Sequence, residues 1–246
     1  MKCKLCNQDR DLIKAHIIPR SLYKPLLEEG KPLSVLSSSP ATHPQKSRIG
    51  FYDTEILCQE CERIFSPWDD YAQKTLLSEP KQGDYFVHNG QKLAFKMEID
   101  YVKLKLFFIS LLWRAGISNL YFFKKIQIAP FEDQLKEMIL KGDPGNPETF
   151  AIALAKFNEP LGTIMLDPHN GRFKDEGINY CRFYLAGYVA FIKTDKRPYP
   201  DRLKEIILSS DRPLYVILRD LRNSKEFPLM RKVARMWSPQ ISKRDL

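Results

Sequence analysis

The chain has 246 residues, 43% hydrophobic, 28% charged and 12% aromatic, enough to bury a full core, which excludes a disordered or low-complexity protein. No stretch reaches the roughly 18 to 20 apolar residues of a membrane helix, and MKCKLCNQDR lacks the apolar core of a secretory signal, so a soluble cytoplasmic protein with no membrane partner is expected. The formal charge of +9 suits a polyanionic partner without specifying one.

In chain order the first signal is Cys3-x-x-Cys6, completed by Cys58-x-x-Cys61 after a 51-residue interval. Two such knuckles present four thiolates to one ion, so the expectation is a structural zinc site that staples the start of the chain to a later strand and helix. A redox CxxC is the rival reading, but it uses one pair in a βαβ context that is absent here. Cys181, in the apolar run NYCRFYLAGYVAFI, reads as a small buried hydrophobe.

Between the knuckles, AHIIP places His16 in an apolar run, and KPLSVLSSSPATHPQKSRIG reads as a surface loop with His43 solvated. FYDTEIL alternates as a strand into Cys58. CERIFSPWDDYAQKTLL begins a helical pattern, with Ser66 as cap and Pro67 in the first turn.

From Asp100, YVKLKLFFISLLWRA is apolar nearly all round and predicts a buried helix stopped by Gly116, in which Arg114 needs a buried partner or must reach the surface, a structural salt bridge being the preferred reading. FEDQLKEMILKG predicts an amphipathic helix with Gly142 as its C-cap, and GDPGNPE a loop. TFAIALAKF, LGTIMLD and CRFYLAGYVAFIKT read as strands, PHNG (168 to 171) as a turn, RLKEIILSS as a helix, PLYVILRDL as a strand and FPLMRKVARMW as a basic helix. The segment Pro213–Leu246 carries eight basic residues against three acidic ones, and Arg231, Lys232 and Arg235 are its candidate phosphate contacts. The expected fold class is α+β: residues 1–78 as a zinc-binding module, then residues 79–246 as an α+β domain with a mainly antiparallel sheet, serving recognition, partner binding or regulation.

CxxC, then HIIP, then ILCxxCE opening a helix resembles the zinc-knuckle branch of the HNH (ββα-metal) endonuclease superfamily. KAHIIP with the helical Asp69 is similar to an uncharacterised bacterial subgroup of it. The resemblance implies a ββα module and metal-dependent hydrolysis of DNA, in a restriction or phage-defence setting. It makes His16 the general base, puts Asp53 at the position that orients it, and leaves Asp69, with Glu62 or Asp70, to hold a catalytic Mg²⁺ or Mn²⁺. Two positions depart from the pattern: Ala15 stands where a metal-ligating Asp or His is usual, and Glu62 replaces the histidine after the fourth cysteine. The alternative is a non-catalytic zinc module that binds nucleic acid or a protein partner, or a homo-oligomer. On the residues alone, His16 also reads as a core histidine bonded to backbone, and Asp69 and Asp70 as solvated acids at a helix start.

Overall fold

A computed structural model describes residues 1–26, 33–36, 45–47, 50–158, 164–228 and 231. Its elements in chain order are β1 (Ala15–His16), β2 (Leu33–Leu36), β3 (Gln45–Ser47), β4 (Tyr52–Asp53), α1 (Gln59–Leu77), β5 (Tyr85–His88), β6 (Gln91–Met97), α2 (Tyr101–Ile117), α3 (Glu132–Lys141), β7 (Ile152–Phe157), β8 (Ile164–Leu166), β9 (His169–Arg172), β10 (Asn179–Leu185), β11 (Tyr188–Lys193) and β12 (Leu214–Arg219). Short 3-10 turns lie at Arg20–Leu26, Gln82–Asp84, Tyr121–Phe123 and Asp201–Ile206.

The class is α+β, and the sheet is mainly antiparallel. Seven strands run in the order β5-β6-β12-β7-β11-β10-β9, and only the central β12–β7 pair is parallel. CRFYLAGYVAFIKT is two strands rather than one, because Ala186 and Gly187 both adopt positive φ, the requirement of a two-residue hairpin turn that matches strand twist. Asn89 and Gly90 do the same between β5 and β6. PHNG is not a turn: His169–Arg172 is edge strand β9, paired to β10. RLKEIILSS forms a 3-10 turn over Asp201–Ile206 instead of an α-helix. Of the predicted interknuckle loop, Leu33–Leu36 and Gln45–Ser47 are strands in a three-stranded sheet with β8. The remainder of that loop, including His43, and most of the predicted C-terminal basic helix, including Lys232 and Arg235, lie outside the described residues.

Helix α1 starts directly from the second knuckle with Cys58 as N-cap, so Pro67 lies inside the helix and Asp69 and Asp70 sit mid-helix rather than in a first turn. Glu60 and Glu62 occupy the first turn, where the helix dipole favours carboxylates. Cys61, Phe65, Trp68, Ala72 and Leu76 form its buried stripe, spaced by three and four residues.

Helix α2 begins at Asp100, whose side chain accepts from the Lys103 amide, and it runs through Gly116 to Ile117. Gly116 does not stop the helix; it permits close packing, since a Cβ there would lie 2.5 Å from the Ile128 side chain. The all-round apolar pattern of α2 has a direct cause. One continuous core joins residues of the first knuckle, α1, α2 and α3 to the inward residues of the sheet, including Phe95, Leu154, Phe183, Tyr188 and Val216. The opposite face of the sheet carries two smaller clusters, around Phe157 and Val189 and around Ala153 and Tyr199.

Candidate metal centre and the surroundings of His16

The chain around Cys3–Cys6 and the chain entering Cys58 lie side by side. Lys4 N–H donates to the Ile56 carbonyl at 2.9 Å, Ile13 N–H to Leu57 at 2.9 Å, and Leu12 bridges Cys58. These bonds bring together knuckles that are remote in sequence. The ligand sulfurs of Cys3, Cys6, Cys58 and Cys61 all lie within 4.8 Å of one another, with Cys6 and Cys58 Sγ at 4.0 Å. Sulfurs at tetrahedral positions about 2.3 Å from one zinc would stand about 3.8 Å apart, so the tetrad is compatible with a structural metal ion such as zinc.

The electrostatics ask for such a cation. Burial pushes the Cys3 thiol up, but hydrogen bonds from the backbone of Cys6, Cys58 and Leu5 outweigh it and bring the thiol down to about 7. The Cys58 amide to Cys3 Sγ is one of these, at 3.4 Å. Burial pushes Cys58 and Cys61 upward, and crowding by the other cysteines pushes Cys61 further. Four adjacent thiols resist losing four protons unless a divalent ion balances the charge.

His16 follows from the ribbon. β1 and β4 are antiparallel, with Ala15 opposite Asp53 and His16 opposite Tyr52. Because side chains alternate, Ala15 and Asp53 share the inward face while His16 and Tyr52 share the other. The burial agrees: Ala15 is fully buried and Asp53 nearly so, whereas His16 and Tyr52 are partly buried with ring centroids 6.3 Å apart. Lys14 lies on the same face as His16, its ammonium 5.5 Å from the Tyr52 ring centre. His16 Nε2 is itself buried.

The carboxylates are placed differently from the expected constellation. Asp53 Oδ2 accepts from Ser118 Oγ at 2.7 Å and Oδ1 from the Glu55 amide at 2.9 Å, so this group ties the ribbon to the end of α2 from the face opposite the imidazole. Asp69 is held bidentately by Arg114, at 3.0 and 2.8 Å. The Arg114 guanidinium is fully buried, donates a third bond to the His16 carbonyl at 3.0 Å, and stacks over the Phe65 ring at 4.7 Å. Asp70, one residue on, is exposed. Glu62 lies two turns before Asp69 on the same helix face. Burial raises its pKa and the nearby Asp69 adds to the rise, against the opposing pull of Arg114 and the His16 N–H. Its Oε2 is buried with no hydrogen-bond partner among the described residues.

The structure therefore gathers Asp69, Glu62 and the backbone carbonyl of His16, not its imidazole, around one cation, and that cation is Arg114. The sequence left Arg114 either a buried partner or a path to the surface and gave no sign that the partner was Asp69, 45 residues away, because only helix packing brings α2 onto α1. Among the described residues no helix is long and apolar enough to cross a membrane, and the cysteine tetrad is the one cluster of three or more Cys, His, Asp or Glu positioned to hold a metal ion. Comparison with known proteins returns no matching family model, no matching curated protein and no matching solved structure.

Proposed function

We propose that this chain is a zinc-stapled module that binds nucleic acid, DNA in the first instance, without cleaving it. The observation that carries the reading is the Arg114–Asp69 pair: a buried guanidinium takes both oxygens of the carboxylate expected to ligate a divalent ion. A fixed cation already balances that carboxylate, and Asp53 is spent on Ser118 and Glu55. A four-cysteine zinc site is closed and supplies no open coordination position. For binding, the ribbon offers Lys14 beside Tyr52, a charge for phosphate and a ring for a base, on a chain of formal charge +9.

A second reading, metal-dependent hydrolysis of DNA with His16 as base, is favoured by Glu62, whose buried Oε2 lies near His16 and Asp69 without a partner among the described residues. Both are decided by one set of assays. Fluorescence anisotropy with labelled DNA across a salt series, in parallel with plasmid incubation in Mg²⁺ and Mn²⁺, should give salt-sensitive binding and no cleavage. Lys14→Ala with Tyr52→Ala should weaken binding about tenfold and lower the salt slope by about 1. Cleavage that disappears in His16→Ala at unchanged zinc content would establish the endonuclease instead.

A further inference from the structure

The sulfurs of the metal centre differ in their surroundings. Cys3, Cys58 and Cys61 are buried, whereas Cys6 is partly exposed. The local sequence sets this difference. In CKLCNQDR, Leu5 is fully buried, while every residue from Asn7 to Arg10 is exposed. Asn7 makes the turn at φ 59°, a conformation that asparagine adopts more readily than most side chains. Its amide donates to the Cys3 carbonyl at 2.9 Å, and the Cys3 amide donates to the Gln8 carbonyl at 3.0 Å, which closes the turn on Cys3 and leaves Cys6 on the solvent side. Lys136 of α3 pins the same turn, its ammonium donating to the Lys4 carbonyl at 2.5 Å and to Asn7 Oδ1 at 3.0 Å. The exposure of Cys6 therefore belongs to the folded knuckle and not to a frayed chain end.

Hydrogen bonding separates the sulfurs in the same direction. Cys3 Sγ accepts from the Cys58 amide at 3.4 Å, and the amides of Cys6 and Leu5 also donate to it. The Cys61 amide donates to Cys58 Sγ. Among the described residues no backbone amide donates to Cys6 Sγ, whose hydrogen-bond contact is Cys58 Sγ at 4.0 Å. An N–H donor draws charge from a thiolate and blunts it as a nucleophile, so the accessible sulfur without one is the most reactive of the set.

From these differences we infer that Cys6 is a site of oxidative modification, the point at which a hydroperoxide attacks the tetrad, with Cys58 as the resolving cysteine. With hydrogen peroxide, the Cys6 thiolate attacks one oxygen, an S–O bond forms and the O–O bond breaks. The departing hydroxide takes a proton from solvent and leaves as water. Cys58, as a thiolate, then attacks the sulfenic sulfur, an S–S bond forms, and the S–O bond breaks to release a second hydroxide that is protonated in turn. The two sulfurs lose two electrons between them, and the peroxide is reduced to two waters. They must close from 4.0 Å to about 2.05 Å, a shift that a side-chain rotation at the partly exposed Cys6 can supply. Losing two donors of four releases the ion. The new bond joins the same two knuckles, so the tether survives and reduction restores the site. The inference rests on the metal reading of the tetrad and is independent of DNA binding.

The test uses the full chain loaded with zinc, its metal content measured first. Under limiting N-ethylmaleimide, peptide mass mapping should find Cys6 alkylated about tenfold faster than Cys3, Cys58 or Cys61. Hydrogen peroxide should release zinc to a chromogenic chelator and yield a disulfide between Cys6 and Cys58, and a phosphine reductant with added zinc should return the metal. Cys6→His keeps a four-donor set without the exposed sulfur, and should slow that release by about fivefold or more. Equal alkylation of the tetrad, a disulfide that omits Cys6, or release from zinc-loaded Cys6→His at the wild-type rate would overturn the proposal. If Cys6→His does not hold zinc, the order of alkylation and the disulfide found in the wild-type chain decide it. A wild-type chain that carries no zinc overturns the metal reading itself, and the proposal with it.

Discussion

Arg114→Met would leave Asp69 facing a protein interior with its carboxylate unmatched, and Asp69→Leu would leave a guanidinium with no exposure at all in the same state. Removing one partner of a buried pair costs about 3–5 kcal/mol, much of it the penalty on the charge left behind, whereas replacing both with apolar residues is often close to neutral. Urea denaturation of the two single variants and the double variant should therefore show strong non-additivity, with the double variant recovering most of the stability lost by either one. Additive losses would mean that Arg114 serves α2 mainly through its bonds to Ser110 and the His16 carbonyl. The sequence disclosed half of this: an arginine on an apolar helix needs a buried partner or must reach the surface, but nothing in the sequence linked it to Asp69, which reads there as a candidate metal ligand. Asp69 turns inward with Glu62, seven residues before it, and Asp70, a hundred degrees further round, turns to solvent.

Among the elements, the ribbon depends on the cysteine tetrad more than on its own pairing, whereas α1 is also held by its buried stripe. β1 and β4 are two residues each, and an isolated pair of strands is marginal even at several times that length. Purified protein should contain one zinc per chain, and cobalt substitution should give the visible bands of tetrahedral thiolate coordination. Cys58→Ser, or a strong chelator, should abolish those bands and expose the ribbon amides to hydrogen exchange while leaving the sheet amides protected. Equal loss of protection in both would show that the metal stabilises the entire chain as a unit. The knuckles and α1 were legible because a CxxC pair and an amphipathic stripe are local patterns. The start of α1 was not, since its N-cap is Cys58, a member of the tetrad that makes no side-chain capping bond, rather than Ser66, and cysteine is not among the residues that mark a helix start in sequence.

Across the whole molecule, the module and the sheet share one core, so the expected division at residue 78 does not coincide with a break in packing. Lys4 Nζ donates to the Ile117 carbonyl at 2.6 Å, Lys136 Nζ to the Lys4 carbonyl at 2.5 Å, and Ser118 to Asp53, all crossing that division. A fragment of residues 1–78 should accordingly remain unfolded by circular dichroism even with zinc, and a folded, zinc-loaded fragment would show that the knuckles suffice. Stability should also carry a signature of α2's second buried cation. Lys105 donates to the carbonyls of Pro147 and Phe150, and burial, with Lys193 nearby, brings its pKa down to about 7. An unfolded lysine titrates near 10.4. Between about pH 7 and 10 the unfolded chain binds the extra proton, so stability rises with pH through this group and is constant in it below pH 7. In urea titrations from pH 6 to 10, wild type should gain on Lys105→Met as pH rises; a pH-independent difference would place the ammonium's titration outside that window.

What the sequence by itself determined here is local and periodic: the paired cysteines, the stripe of α1, the apolar run of α2, and the patterns that make strands of residues 152–157 and 214–219. Each follows from a spacing that repeats within one element. Only the tertiary structure decided which carboxylate meets which cation. The partners of Arg114, Asp53 and Lys125 lie 45, 65 and 42 residues away, and helix packing and sheet order set those distances. The resemblance at His16 named residue types suited to a nuclease, but whether Asp53 and Asp69 face an imidazole, a serine or a guanidinium depends on strand alternation and on the docking of α2, which no short motif encodes.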